Sequence, residues 1–403
     1  LPGLRHRQGG IRTLRRGGLR MSTIPQRDEI VVIGSGFAAQ QLVKSLRKLD
    51  AEQPIRLITA DSGDEYNKPD LSHVVSRGCA AAAMTRQSGS DFAEQQRIAL
   101  LPHCPVLGID PARRLVLTEQ GSFPYGRLVL ATGASAVRPE LPGSEHLVTL
   151  NSQQEYAAAE GAIQQARRIL VLGAGLIGCE LAMDMASDGR EVTLLDLADS
   201  PLSALLPATL TQPLQQALRS QGVSLQCGTG LARIDAQPGD GWRVTLTDGR
   251  VSEQDLVIAA IGLRPNLALA RGAGLAVERG ILVDDRLQTS DPHIFALGDC
   301  VQWQGQLLPF LQPIVLGANA LARTLLGTPT PLALPPMLVK VKTPCYPLQL
   351  AGRTKGEELA WQCRWNSHGM VAEARDQAGE LCGFVVGGDQ MSAAFPLLRQ
   401  LPR

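Results

Sequence analysis

Residues 30–39 decide the fold: Ile30-Val31-Val32-Ile33-Gly34-Ser35-Gly36-Phe37-Ala38-Ala39, an apolar run that ends in a glycine-rich turn and opens a helical pattern. The run reads as a buried strand and 37–49 as the helix behind it, with Ile55-Arg56-Leu57-Ile58-Thr59 as the next strand. Such a βαβ unit has a right-handed crossover and a parallel sheet. Gly34 permits the tight turn, Gly36 lets the main chain approach a phosphate, and the small Ala39 lets helix pack on strand. The helix's first N–H groups carry partial positive charge and suit a pyrophosphate. The arrangement returns at Ile169-Leu170-Val171-Leu172-Gly173-Ala174-Gly175-Leu176-Ile177-Gly178. One glycine turn is weak evidence. Two, each between a strand and a helix, imply two bound dinucleotides and electron transfer between them.

Working outward from the second turn, a helix is expected at 176–188 and a strand at 192–196, ending in Asp196. An acid there can bind both ribose hydroxyls and repels a 2′-phosphate, which favours NADH over NADPH. A helix at 207–221 and strands at 223–227, 242–247 and 256–261 follow. A Pro- and Gly-rich loop at 139–143 marks a boundary. Strand patterns return at 281–284 and 294–297, the second running into Gly298-Asp299-Cys300, and Pro313 is placed as the first residue of a helix through 326. The last part differs: 337–342, 347–351, 359–365 and 380–386 alternate like an antiparallel sheet, closed by a helix near 390–400.

The 403 residues exceed one ordinary core, and 41 glycines with only 4% aromatics fit α/β layers. No apolar run approaches the roughly 20 residues of a membrane span. The eight cysteines contain no C-x-x-C pair, no metal-ligand spacing and no disulfide framework, which points to a reducing cytoplasm. The first 20 residues hold six arginines and no acid, and 1–27 reads as a basic leader outside the fold. Counting all 39 basic and 38 acidic residues gives +1; without the six leader arginines, 33 basic face 38 acidic residues, or −5. A mildly acidic body gives no general attraction to nucleic acid.

Five motifs taken together, V-V-I-G-S-G-F-A-A, L-V-L-A-T-G-A, V-L-G-A-G-L-I-G-C-E, A-A-I-G-L-R-P-N and I-F-A-L-G-D-C, resemble the pyridine nucleotide-disulfide oxidoreductase superfamily. The likeness covers about 28–403. It implies a glutathione-reductase-like α/β architecture: two Rossmann-type dinucleotide domains plus a small α+β C-terminal domain. FAD would occupy 28–134 with 262–330, NADH 135–261, and the C-terminal unit would be 331–403. Asp299 would bind the ribitol of FAD, ahead of a helix facing the flavin.

The stretch 66–76 separates subfamilies. Disulfide reductases carry a cysteine pair there and NADH oxidases a single cysteine; neither is present. Ferredoxin reductases carry lysine where this chain has His73. Asp-Glu-Tyr-Asn-Lys-Pro-Asp-Leu-Ser-His at 64–73, Leu-Gln-Pro-Ile at 311–314 and Val-Lys-Thr-Pro at 341–344 are similar to the rubredoxin reductases. By that resemblance FAD contacts comprise Gly34, Ser35, Gly36, Phe37, Ala38, Thr59, Ala60, Lys68, Val106, Gly133, Asp299, Leu311 and Lys342. NADH would lie on Gly173, Gly175, Gly178 and Asp196, with Glu180 at the flavin–nicotinamide junction. His73 and Glu180 are expected as a catalytic pair near flavin N5. The implied acceptor is the rubredoxin-type iron centre of a flavorubredoxin, or a rubredoxin, on a route to nitric oxide reduction. A rubredoxin or ferredoxin reductase of another pathway, or a flavin NADH oxidase, is the alternative. Lys340, Lys342, Arg353 and Lys355 are candidates for a basic docking patch, and Cys179 and Cys300 read as packing residues.

Overall fold

The computed structural model describes residues 29–239 and 241–402, so the expected leader at 1–27 lies outside the described residues. Strand Ile30–Ile33 is central in a five-stranded sheet. Ile55–Ile58 and then Ala99–Leu101 lie on one side; Arg127–Leu130 and then Ile294–Ala296 lie on the other, and every pairing is parallel. All four residues of the central strand are buried. A parallel sheet is covered on both faces, which is why this run is uniformly apolar instead of alternating. The sheet closes only when Ile294–Ala296 returns, after a long excursion of the chain.

That excursion contains a second parallel sheet, ordered Val223–Cys227, Glu191–Asp196, Arg168–Leu172, Leu256–Ala259. It repeats the first in detail. Gly34 N–H donates to Ile58 O at 2.8 Å and Gly173 N–H to Leu195 O at 2.7 Å. A Cβ on Gly34 would fall 2.3 Å from Ala131 O, and one on Gly173 2.6 Å from Ala260 O; their φ values are +106° and +102°. Only glycine satisfies both the left-handed backbone and the close approach. The two passages between the sheets, Ala134–Ala136 and Leu263–Pro265, pair with each other as an antiparallel ribbon.

The C-terminal part is a five-stranded antiparallel sheet ordered Val339–Val341, Leu348–Gly352, Leu381–Gly388, Gly369–Arg375, Ala360–Trp365. Strand Gly369–Arg375 was not expected from the sequence. Six of its seven residues are buried, including Glu373, so it lacks the alternation that marks a half-buried strand. Leu231–Ala236 is likewise an unexpected strand, polar in the middle and irregular in register at Leu231/Arg233. The helix expected at 207–221 divides into a 3₁₀ turn, Ala208–Thr211, and a helix, Gln212–Ser220, with Pro213 in the new first turn. The helix expected from Pro313 starts at Leu311; proline is accepted in a first turn because its missing N–H has no partner there anyway.

One hydrophobic core joins distant parts of the chain: Leu71 and Val74, Ile169 and Leu181, and Leu348 and Met370 belong to the same buried cluster. The segment after the first βαβ unit, the second unit and the C-terminal sheet therefore meet at one place, and the functional groups lie beside it.

Candidate functional site

Helices Phe37–Leu49 after Gly36, Leu176–Ala186 after Gly175 and Leu311–Leu325 after Phe310 open without a side-chain cap and without an acid in the first turn. By contrast, Ser88 and Ser152 cap Gly89–Gln96 and Gln153–Gln165. Uncapped starts leave N–H donors free for an anion. A Cβ on Gly36 or Gly175 would meet nothing within 4 Å, so the fold does not demand glycine there and a backbone-hugging ligand does. Gly178 is the opposite case: its Cβ would lie 1.7 Å from Gly173 O, a packing demand that buried Ala39 meets in the first unit. Both turns thus fit a pyrophosphate.

Each turn is also gripped by a strand-end acid. Asp61 Oδ1 accepts the hydroxyls of Ser35 at 2.6 Å and Thr59 at 2.7 Å, and the N–H of Gly63 at 2.9 Å. Asp196 Oδ2 accepts the N–H of Ala174 at 2.6 Å, and its Oδ1 that of Ala198 at 2.8 Å. Ser35 and Ala174 are the middle residues of the two Gly-x-Gly turns; in register the residue that answers to Asp196 is Thr59, and Asp61 lies two residues beyond it. Asp61 is not among the residues expected from the sequence, where the strand ends at Thr59 and Thr59 and Ala60 are the cofactor contacts. Ile177, Leu197 and Ile261 stand exposed around the second turn, bare apolar surface of the kind a planar ring covers.

At the other end of the first turn, a Cβ on Gly298 would lie 2.8 Å from Ala38 Cβ, which sets Asp299 against the start of helix Phe37–Leu49. Burial pushes the Asp299 carboxyl above the usual carboxylate range, with Lys68 opposing the shift. Burial likewise lowers Lys68, with Asp299 and then Glu155 opposing it. The two attract each other yet form no direct ion pair, which leaves both free toward a polar ligand between them. Asn266 clamps the neighbouring loop: its Nδ2 donates to Thr132 O at 2.9 Å and its N–H to Gly133 O at 3.0 Å. Leu311 is exposed at its helix start, and Val106 packs half-buried against the first core. These groups fit the sugar and ring portions of FAD.

The junction is built on Glu180, buried on helix Leu176–Ala186. Its Oε2 accepts the Ser72 hydroxyl at 2.7 Å and its Oε1 the backbone N–H of Lys342 at 2.9 Å. Ser72 Oγ also lies 2.9 Å from His73 Nδ1, and His73 Nε2 lies 3.4 Å from Lys342 O. No hydrogen bond joins His73 to Glu180 directly; Ser72 stands between them, a residue that no motif singles out. Lys342 enters through its backbone, and its side chain is exposed. One helical turn along, Asp184 Oδ2 and Oδ1 accept the N–H groups of Val75 at 2.8 Å and Ser76 at 3.0 Å. Two carboxylates at i and i+4 share one helix face and fasten the 72–76 segment.

Cys179 and Cys300 are buried, and burial pushes both thiols up, away from reactive thiolate. Among the described residues no cluster suits a metal ion and no helix is long and apolar enough to cross a membrane. Of the proposed docking cations, Arg353 pairs with Glu358 at 3.2 Å and Lys355 donates to Ser203 O. Lys340 and Lys342 are exposed with no ion-pair partner among the described residues.

This pattern of paired nucleotide turns defines a class, and the chain belongs to the pyridine nucleotide-disulphide oxidoreductase family, whose model matches residues 28–314. A second family model, the rubredoxin binding C-terminal domain, matches 331–401. The chain is 95% identical, over 95% of its length and 100% of the relative's, to the nitric oxide reductase FlRd-NAD(+) reductase of Aeromonas hydrophila. It is 53% identical to the protein of the same name from Escherichia coli O139:H28, over 93% of the chain and 99% of the relative. Among solved structures it is similar to a ferredoxin reductase from Rhodopseudomonas palustris, with 27% identity, TM-score 0.82 and coverage of 89% and 91% of the two chains. The fold is shared with putidaredoxin reductase in its covalent complex with putidaredoxin, at TM-score 0.82, 24% identity and coverage of 93% and 94%.

Proposed function

We propose that this protein is an FAD-dependent oxidoreductase that takes electrons from NADH and passes them to the rubredoxin-type iron centre of a flavorubredoxin, in support of nitric oxide reduction. The observation that carries the reading is the junction at Glu180, where the helix of the second nucleotide turn is tied to Lys342, just past the first strand of the sheet matched by the rubredoxin-binding family. Bound FAD supplies the chemistry, accepting two electrons as hydride and releasing them singly.

The protein's own part is binding and orientation. Gly34–Ala38 and the helix behind them hold the FAD pyrophosphate, Thr59 and Asp61 its adenosine ribose, and Lys68 and Asp299 its ribitol side. Gly173, Gly175 and Gly178 hold NADH, with Asp196 on the ribose. Helix Leu311–Leu325 directs its free N–H groups at the flavin, where a reduced ring carries negative charge. No nucleophile is called for, and the buried thiols supply none. We assign 28–134 with 262–330 to FAD, 135–261 to NADH and 331–403 to acceptor docking, and place the protein in the cytoplasm. The test is NADH-driven reduction of flavorubredoxin, rubredoxin and ferredoxin compared side by side. Preference for flavorubredoxin is the expected result; equal or faster ferredoxin reduction would overturn the assignment.

A further inference from the structure

Ser72 serves three neighbours with one hydroxyl. Its Oγ lies 2.7 Å from Glu180 Oε2, 2.9 Å from His73 Nδ1 and 3.1 Å from Pro69 O. Ser72 and Glu180 are buried, whereas His73 is half exposed. A hydroxyl has one proton to donate, so two arrangements satisfy the row from Glu180 to His73. In one, Nδ1–H donates to Oγ and Oγ–H donates to an ionised Glu180. In the other, a protonated Oε2–H donates to Oγ and Oγ–H donates to Nδ1. Both hold the same number of protons. They interconvert by moving two protons along existing hydrogen bonds, with every heavy atom in place.

We propose that Glu180, Ser72 and His73 form a proton relay from the buried junction to solvent. This rests on the NADH-to-FAD reading above. A hydride brings one proton with two electrons; when both electrons leave singly to ferric centres, that proton also has to leave. Glu180 accepts it and passes it to Oγ as the Oγ proton passes to Nδ1. The imidazolium then gives its Nε2 proton to water, since that edge is partly open and its contact with Lys342 O is long at 3.4 Å. Before the next turnover the half-exposed ring swings away from Ser72, Nδ1 gives its proton to water and Nε2 takes one up, so that one proton in all is released. The segment packs on helix Leu176–Ala186, which brings Glu180 and Asp184, and on helix Gln153–Gln165, which brings Glu155 and Tyr156. Its own neighbours Lys68, Asp70 and Arg77 and the strand lysines 340 and 342 complete the charged surroundings, and Asp70 is held by Arg77 at 2.8 Å. Asp184 is committed to backbone N–H groups, which leaves Glu180 as the carboxylate joined to the imidazole.

The test uses FAD-loaded protein in two measurements. First, ¹⁵N-histidine NMR at fixed pH reads which ring nitrogen of His73 carries the proton and whether Nδ1 is hydrogen-bonded. Ser72→Ala is expected to remove the hydrogen-bonded Nδ1 signature, because Nδ1 meets Glu180 only through the hydroxyl, and Ser72→Thr is expected to restore it. Second, a pH indicator follows proton release as chemically reduced enzyme is oxidised by ferricyanide, which needs no docked protein. Release should keep pace with flavin oxidation in the native protein and lag by about a hundredfold in Ser72→Ala and in His73→Gln, the lower end of what a positioned proton carrier contributes. A native His73 Nδ1 signature and native release rate in Ser72→Ala would overturn the relay, as would native release in His73→Gln. Failure of NADH to bleach the native flavin would instead overturn the proposed function and leave the relay measurements standing.

Discussion

Glu180 accepts the backbone N–H of Lys342 at 2.9 Å, across 162 residues of sequence. The contact ties the helix of the second nucleotide turn to the edge strand of the C-terminal sheet, and the other carboxylate oxygen holds Ser72. Glu180→Ala leaves the Lys342 N–H without its acceptor, at a cost of about 1–3 kcal/mol, while the Ser72 hydroxyl keeps Pro69 O and His73 Nδ1. Glu180→Gln keeps an acceptor for Lys342 and is expected to cost less. Urea denaturation of the FAD-loaded variants should rank them native, Gln, Ala; equal midpoints for Gln and Ala would remove the contact's structural role.

The glycines divide by cause. Gly178→Ala has no room, with its Cβ 1.7 Å from Gly173 O, and should unfold or distort the NADH unit. Gly36→Ala has open space. It should fold with a native melting temperature yet emerge colourless or pale, because the methyl takes space needed by the FAD pyrophosphate. The ratio of flavin to protein absorbance, read beside thermal melts, checks both; a fully yellow Gly36→Ala would contradict the assignment of the first turn.

Asp196 should set the nucleotide. Asp196→Ala loses the ribose partner and leaves the N–H groups of Ala174 and Ala198 without their acceptor. We expect kcat/KM for NADH to fall about tenfold to a hundredfold, corresponding to roughly 1.4–2.8 kcal/mol, and that for NADPH to fall much less. Steady-state kinetics with both nucleotides decide it, and an unchanged ratio would place the ribose elsewhere.

The Lys68–Asp299 pair gives a pH signature. Burial raises Asp299, so the folded protein holds that proton more tightly than the unfolded chain. Stability from this group is present at low pH and is lost as pH rises through the raised range. Lys68 is lowered; its penalty is complete below its folded pKa and fades as pH rises toward the ordinary lysine value. FAD-free Asp299→Asn should therefore be more stable than native protein at pH 7, with an advantage that shrinks as pH falls toward 4. The same variant should bind FAD more weakly. Denaturation at several pH values tests the first point and flavin release the second; an advantage that grows toward low pH would reverse the assignment.

The elements that repeat were the legible ones. Strands 30–33 and 169–172 are apolar throughout because parallel sheets bury both faces, and their glycines are fixed by carbonyls at Ala131 and Ala260. Glu180 was visible as an acid on a nucleotide helix. Ser72, Asp61 and Asp184 were not, because each acquires its role from a partner far away in sequence: Glu180, Ser35, and the N–H groups of Val75 and Ser76. Gly369–Arg375 was hidden for a related reason. A strand buried on both faces, with Glu373 bonded to Arg364 and Arg375, has no periodicity to betray it.

In the function proposed above, electrons enter from NADH and leave to a rubredoxin-type iron centre. Anaerobic stopped-flow of the FAD-loaded protein with NADH and excess oxidised flavorubredoxin measures this most directly. Rapid flavin bleaching is expected, followed by reduction of two ferric centres per NADH, at a rate lowered by salt and by Lys340→Glu with Lys342→Glu. Bleaching without reduction of the iron centre would contradict it.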